Sequence, residues 1–398
     1  MRKFRLFTPA NLYTLIAILY TIRQYTLSSV FSSRIVFVLF FLLSIYYFIR
    51  VISEYGSLPV IRALTVLTAL FSVYGMFLVL FPPDSAWLRE CGSFQFLNDF
   101  LAALLPIFAF FYFSKKNLIN EKWIFAWTFV FIFAALIQYH GMLNKRFMEL
   151  AVDKTEVVNN AGYIMMSIIP CLVFSRKHKI IQYVMWGVIM VFVIFAVKRG
   201  AIILSTAAFL VFLWQTIKGE KLQHKVFISI LSVIFMFFVY RYLQHLLEST
   251  NLFSSRLIAT LEGNSSGRDR IYSQYLGFFI NESSPLTFLF GNGPYGTLRY
   301  LGKMAHNDWL EIGIDMGLLG LTAYFYYWIK VCGMVRRSKK CCSEEVYQAL
   351  FLFTILYFGK TLFSMSIMAI SVYAAVPFGY CIAQYYNSIY RKASYESR

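Results

Sequence analysis

The chain has 398 residues, of which 59% are hydrophobic and only 14% charged, with a formal net charge of +18. Its apolar runs repeatedly reach the roughly 20 residues that cross a hydrocarbon core, which excludes a soluble domain of this length. The hydrophobicity is continuous rather than alternating, which excludes a β-barrel and leaves an all-α polytopic membrane protein. About twelve transmembrane helices can be drawn, at 11–30, 35–52, 63–81, 99–114, 123–140, 158–174, 180–197, 201–217, 226–246, 308–330, 345–365 and 367–386. Arg23 interrupts the first of these and Lys360 the eleventh. The basic start, Met-Arg-Lys-Phe-Arg, lacks a small-residue cleavage site, so the first span is expected to be retained. The spans form one integral membrane domain over 1–398, with one long loop at 247–307.

Loop charges set the expected orientation. With both termini inside, the cytoplasmic segments carry Arg2, Lys3 and Arg5, then Arg50 and Arg62, then Lys115, Lys116 and Lys122. They continue with Arg176, Lys177 and Lys179, then Lys218, Lys221 and Lys225, then Arg336, Arg337, Lys339 and Lys340, and end with Arg391, Lys392 and Arg398. Outer loops are mixed: 82–98 holds Asp84, Arg89 and Glu90. This is the bias of the positive-inside rule, and it accounts for the net charge without a nucleic-acid partner. The six cysteines show no CxxC spacing, and only Cys91 falls outside, so neither a metal framework nor an outer disulfide is expected.

Lys198 and Arg199 depart from that pattern. They end the apolar run 180–197 and so fall on the outer face. One cation there would be ordinary snorkelling; two adjacent ones beside Gly200 point to a bound anion. Asn159 and Asn160, with Gly162, open the sixth span, where their amides either cap the helix or hold substrate hydroxyls.

The loop 247–307 is too long for a simple connection. It holds Ser265-Ser266-Gly267-Arg268, read as a helix entry turn, and an amphipathic helix at 269–280. Arg268 at such a helix start either clamps an anion with its planar fork or pairs with Asp269 or Glu262. Gly291, Gly293 and Gly296 follow no strand and open no βαβ unit, so they are read as tight turns and not as a nucleotide fingerprint. His306 is the best placed of five histidines for proton transfer, with Asp308, Glu311 or Asp315 to orient it; the alternative is a cap on the tenth span. A metal held by His306, Asp308 and Glu311 is disfavoured, because that spacing does not share one helical face.

These motifs together resemble the bacterial O-antigen polymerase and ligase family. The resemblance rests on Lys198-Arg199-Gly200-Ala201, Gly267-Arg268-Asp269-Arg270-Ile271-Tyr272, Phe290-Gly291-Asn292-Gly293 and His306-Asn307-Asp308-Trp309-Leu310. Gly313, Gly317, Leu318, Gly320 and Leu321 follow in register, and Asn159-Asn160-Ala161-Gly162 with Pro170 precedes. It covers roughly 155–325. It implies a GT-C-like fold and a glycosyltransferase acting in the periplasm on undecaprenyl-diphosphate-linked glycan donor and acceptor, with no cofactor, nucleotide sugar or metal ion. His306, Arg268 and Arg199 would be catalytic. Lys198, Arg270, Tyr272, Asn159, Asn160, Asn307, Asp308 and Glu311 would bind substrate. The implied setting is the bacterial inner membrane among its lipids, with a chain-length regulator as partner. A polymerase of repeat units is preferred, with a ligase to lipid A core as the close alternative. A lipid-linked oligosaccharide transporter is the alternative from another class, and would be favoured by ionisable residues deep in several spans.

Overall fold

The chain is described by a computed structural model, which covers residues 8–27, 30–82, 93–150, 160–196, 198–218, 268–362 and 364–396, plus Phe237, Arg241 and Gln244. Caps and prolines in the sequence set several helix starts. Thr8 Oγ1 accepts from Asn11 N at 3.1 Å and Pro9 supplies a fixed φ, so α1 runs Pro9–Thr26. Then come α2 (Val30–Tyr55), α3 (Pro59–Leu80), α4 (Ser93–Lys115) and α5 (Glu121–Leu150). Two short helices, α6 (Ala161–Met166) and α7 (Ile169–Leu172), lead through a 3-10 turn to α8 (Lys179–Phe195) and α9 (Arg199–Lys218). Beyond lie α10 (Arg268–Gly277), α11 (Pro285–Phe290), α12 (Gly296–Leu301), α13 (Asp308–Cys341), α14 (Glu344–Thr361) and α15 (Val372–Glu396). Among the described residues there is no strand.

Six of these helices are long and apolar enough to cross a membrane: α2, α3, α4, α5, α9 and α13. The protein is thus a polytopic helical membrane protein. Large apolar side chains such as Leu42, Ile49, Phe133 and Trp214 stay exposed on these helices, as a surface solvated by lipid requires. Helices α1, α14 and α15 occupy the predicted first, eleventh and twelfth spans. The predicted ninth, 226–246, lies outside the described residues except for Phe237, Arg241 and Gln244, which are helical.

The core is built on α4 and α15. A Cβ at Gly379 would come within 2.6 Å of Ile107 O, so the missing side chain lets the two backbones meet. Ile107, Phe108, Phe110 and Phe111 are fully buried at this contact. Helices α2 and α3 flank α4, while α13 and α14 flank α15.

The two ends of the bundle differ in charge. At one end Lys116 Nζ pairs with Glu54 Oε2 at 2.8 Å, Lys115 Nζ donates to Asn387 Oδ1 at 2.7 Å, and Arg176 pairs with Glu344 at 2.9 Å. Basic clusters from distant loops therefore gather there, and we call it the basic end. At the other, Tyr20 OH donates to Asn98 Oδ1 at 2.8 Å, Tyr74 OH to Phe290 O, and the rings of Phe96 and Tyr295 meet at 5.4 Å. That loop end carries α10, α11 and α12.

Two predicted spans are broken. The sixth is not one helix: Pro170 at the start of α7 removes a donor and crowds the preceding turn, so the chain turns at Ser167 and Ile168. Ser167 Oγ compensates by donating to Ile164 O at 2.6 Å. The tenth extends over 34 residues but is interrupted at Gly317, whose φ of 63° and ψ of −158° are not helical. The predicted loop helix at 269–280 is found as α10, continued by a π-helical turn at Phe278–Glu282. Its Ile271, Tyr275 and Phe278 pack against Leu301, Ala305, Leu310 and Ile314. Burial, and secondly the Glu311 carboxylate, push the Tyr275 phenol up to about 12, so it stays protonated and donates to Lys303 O.

Candidate active site

The segment of α13 before Gly317 carries three carboxylates, Asp308, Glu311 and Asp315, which a helix places on one side. They are only 1%, 5% and 7% exposed. Burying a carboxylate is costly unless its lone pairs are filled, and here they are. Asp308 accepts from Ser366 N at 2.8 Å, Ile367 N at 3.2 Å and Tyr324 OH at 2.5 Å. Glu311 accepts from Thr297 Oγ1 and Ala305 N, both at 2.5 Å, and from His306 N at 3.3 Å. Asp315 accepts from Tyr295 N at 3.1 Å and Thr297 N at 3.4 Å. The trio ties the loop before α13 and the turn after α14 to a single helical segment.

The break at Gly317 serves the same end. Non-helical φ/ψ there interrupts the i→i+4 ladder and frees the carbonyls of Ile314 and Asp315. Asn292 N donates to Ile314 O at 2.8 Å and Gly293 N to Asp315 O at 2.9 Å. The approach needs glycine on both sides: a Cβ on Gly291 would lie 2.3 Å from Asp315 O, and one on Gly317 2.5 Å from Gly291 N.

His306 stands exposed beside this brace, with a φ of 52° that is rare for a residue bearing a Cβ. Its backbone is pinned, because Glu311 Oε1 holds the N–H groups of both Ala305 and His306. The capping role that the sequence leaves open for His306 belongs to Asn307, whose Oδ1 accepts from Trp309 N at 2.9 Å and Leu310 N at 3.3 Å. Glu311 therefore positions His306 through the main chain.

A second polar group forms where the two sequence halves meet. Gly162 packs against Ala196, Ala201 and Lys198, where a Cβ would lie 3.1–3.5 Å from each side-chain Cβ. That brings Tyr163 beside the Lys198-Arg199 pair, with Lys198 Nζ 5.8 Å from its ring centroid. Lys360, from the end of α14, lies over the same ring at 4.2 Å. Two residues on, Leu362 O accepts from Tyr272 OH at 3.3 Å and from Asn307 Nδ2 at 3.0 Å. A chain of contacts therefore runs from Lys198 through Tyr163, Lys360 and Leu362 to Asn307, whose neighbour is His306.

The expected site residues divide accordingly. Lys198, Tyr272 and Asn307 are linked at the loop end through Tyr163, Lys360 and Leu362, with Arg199 and His306 next to them in sequence, and Arg268 and Arg270 open α10, the helix that carries Tyr272. Asn160 is exposed and makes no side-chain cap, so the capping alternative for its amide is not adopted. Asn159, with Ser265, Ser266 and Gly267, lies outside the described residues. Asn307, Asp308 and Glu311 were expected to touch substrate. Here their side chains are spent on the protein's own donors and acceptors, because a reversed loop must be held against a helix end, so each acts as a brace. Sequence reasoning missed Tyr163 and Thr297, and it read Lys360 only as a flaw in an apolar run. A lone lysine in such a run was the available signal.

An apolar cavity of about 510 Å³ opens at the same end between α3 and the 290–294 turn, lined by Tyr74, Phe77, Phe81, Phe290, Asn292 and Arg299. Arg299 Nη2 donates to Asn292 O, and no described residue accepts from its buried Nε. Among the described residues no group of three His, Cys, Asp or Glu side chains is arranged to hold a metal ion. No family model matches the chain, and no curated protein matches it.

Proposed function

We propose that this chain is a membrane glycosyltransferase that joins polyprenyl-diphosphate-linked oligosaccharide units into a surface polysaccharide of the O-antigen type. The observation that carries the reading is the contact chain from Lys198, the neighbour of Arg199, across residues 163, 360 and 362 to Asn307, the neighbour of His306. An exposed imidazole and a basic anion site at one end of a bundle are the parts that glycosyl transfer from a diphosphate needs. The acceptor hydroxyl oxygen attacks the anomeric carbon while His306 takes its proton. The bond from that carbon to the diphosphate oxygen breaks, and the leaving lipid diphosphate keeps the electron pair. Arg199 and Arg268, with Lys198 and Arg270, stabilise that growing charge. The apolar cavity beside the site offers room for part of a lipid chain.

The cations of the candidate site gather at the loop end instead of lining a path through the bundle, which favours an interfacial enzyme over a transporter. The reading includes a GT-C-like arrangement of about twelve spans, with the loop end periplasmic and the basic end cytoplasmic in a bacterial inner membrane. The test is the surface polysaccharide of a deletion strain, resolved by gel. We expect single repeat units in place of long chains. Full-length chains left on the lipid carrier would mark a ligase instead, and an unchanged polymer would rule out both.

A further inference from the structure

Lys360 is the least explained charged group in the described structure. It is 2% exposed and sits in the last turn of α14, and among the described residues its side-chain nitrogen makes no hydrogen bond and no ion pair. Its ammonium lies over the Tyr163 ring, at 4.2 Å from Nζ to centroid. The nearest opposing charge, Asp308, acts on it electrostatically but has its oxygens committed to Tyr324, Ser366 and Ile367. Asp308 therefore holds the turn after α14 and leaves the lysine without a bonded counter-ion.

Lys360 is also not alone. Lys198 Nζ lies 5.8 Å from the same ring, so the two nitrogens are at most about 10 Å apart, a separation at which like charges in a low-dielectric setting repel strongly. An anion between or beside the two would relieve that repulsion, of which a π face alone offsets little. Arg199 follows Lys198 and opens α9, where free backbone N–H groups add further positive character. Three segments far apart in sequence, around 163, 198 and 360, thus supply one cationic cradle with an aromatic floor.

We propose that Lys360 and Lys198 together bind the two phosphoryl groups of a diphosphate over the Tyr163 ring, which makes Lys360 a substrate-binding residue. The proposal deepens the glycosyltransferase reading by naming which end of the donor this cluster holds, and it is tested by binding and not by transfer. The same chemistry is offered by free pyrophosphate, by an isoprenyl diphosphate and, more weakly, by an anionic bilayer lipid.

The experiment uses the full chain purified in detergent, titrated separately with a short isoprenyl diphosphate, inorganic pyrophosphate, inorganic phosphate and phosphatidylglycerol. Wild type should bind the isoprenyl diphosphate most tightly, pyrophosphate next, and phosphate or phosphatidylglycerol least. Lys360→Met, which keeps the volume and removes the charge, should weaken both diphosphates by about tenfold to a hundredfold, the loss of one charge-assisted bond. Lys198→Met should weaken them similarly, and it decides the matter if Lys360→Met fails to fold. Equal affinity in a folded Lys360→Met protein would overturn the proposal, as would a wild type that binds no diphosphate or prefers phosphatidylglycerol. Transfer activity that persists under either result would leave the glycosyltransferase reading standing without this site.

Discussion

The carboxylates of α13 and Lys360 beside Tyr163 are both buried charge at the same end of the bundle, yet they are treated in opposite ways. Asp308, Glu311 and Asp315 receive eight hydrogen bonds between them, from Ser366, Ile367, Tyr324, Thr297 (twice), Ala305, His306 and Tyr295. Lys360 receives a ring and no bonded counter-charge from the described chain. Saturated buried charge is part of the scaffold; the buried amine without a bonded anion is where we propose that a ligand binds. The comparison separates residues that hold the site from residues that use it, although both kinds lie at the loop end.

Substitutions should separate the two groups. The largest effect is expected at Arg199. Arg199→Ala should abolish or nearly abolish transfer while the protein still inserts at normal levels, and Arg199→Lys should recover little, because a point charge cannot reproduce a bidentate fork. Assay of both variants at matched membrane levels is the check, and full activity of the alanine variant would take Arg199 out of the site. A different signature is expected at Glu311. Glu311→Gln turns one acceptor into a donor facing backbone N–H groups, so it should lower stability by about 1–3 kcal/mol and loosen the loop before α13. Thermal unfolding and proteolysis of the loop in detergent would report this. If Glu311→Gln kept its stability but lost activity, the brace would instead be part of the chemistry.

Much of this was legible in the sequence. The spans were readable because lipid demands long apolar helices, and the convergence of Lys198-Arg199 with the long loop followed from counting charges across them. The breaks were not. Pro170 and Gly317 were visible, but a broken helix persists only when other groups satisfy the freed carbonyls. At Gly317 those groups are Asn292 and Gly293, more than twenty positions earlier. The bracing by Asp308 and Glu311 was hidden for a similar reason. Acidic residues beside a candidate base look like chemistry until the backbone donors that fill them are known, and such donors carry no side-chain signature. Lys360 stood out as an anomaly, but its link to Tyr163 spans about two hundred residues and no local pattern announces it.

The central claim is that His306 does chemistry while its neighbours hold it in place. Its most direct test is the turnover of purified His306→Asn protein with a lipid-linked donor and acceptor. Asn tolerates positive φ better than most residues and keeps the backbone N–H that Glu311 binds, so the loop should stay as it is. Loss of the base should then cost roughly two to four orders of magnitude in rate with the thermal midpoint unchanged. Near-normal turnover by His306→Asn would contradict the account.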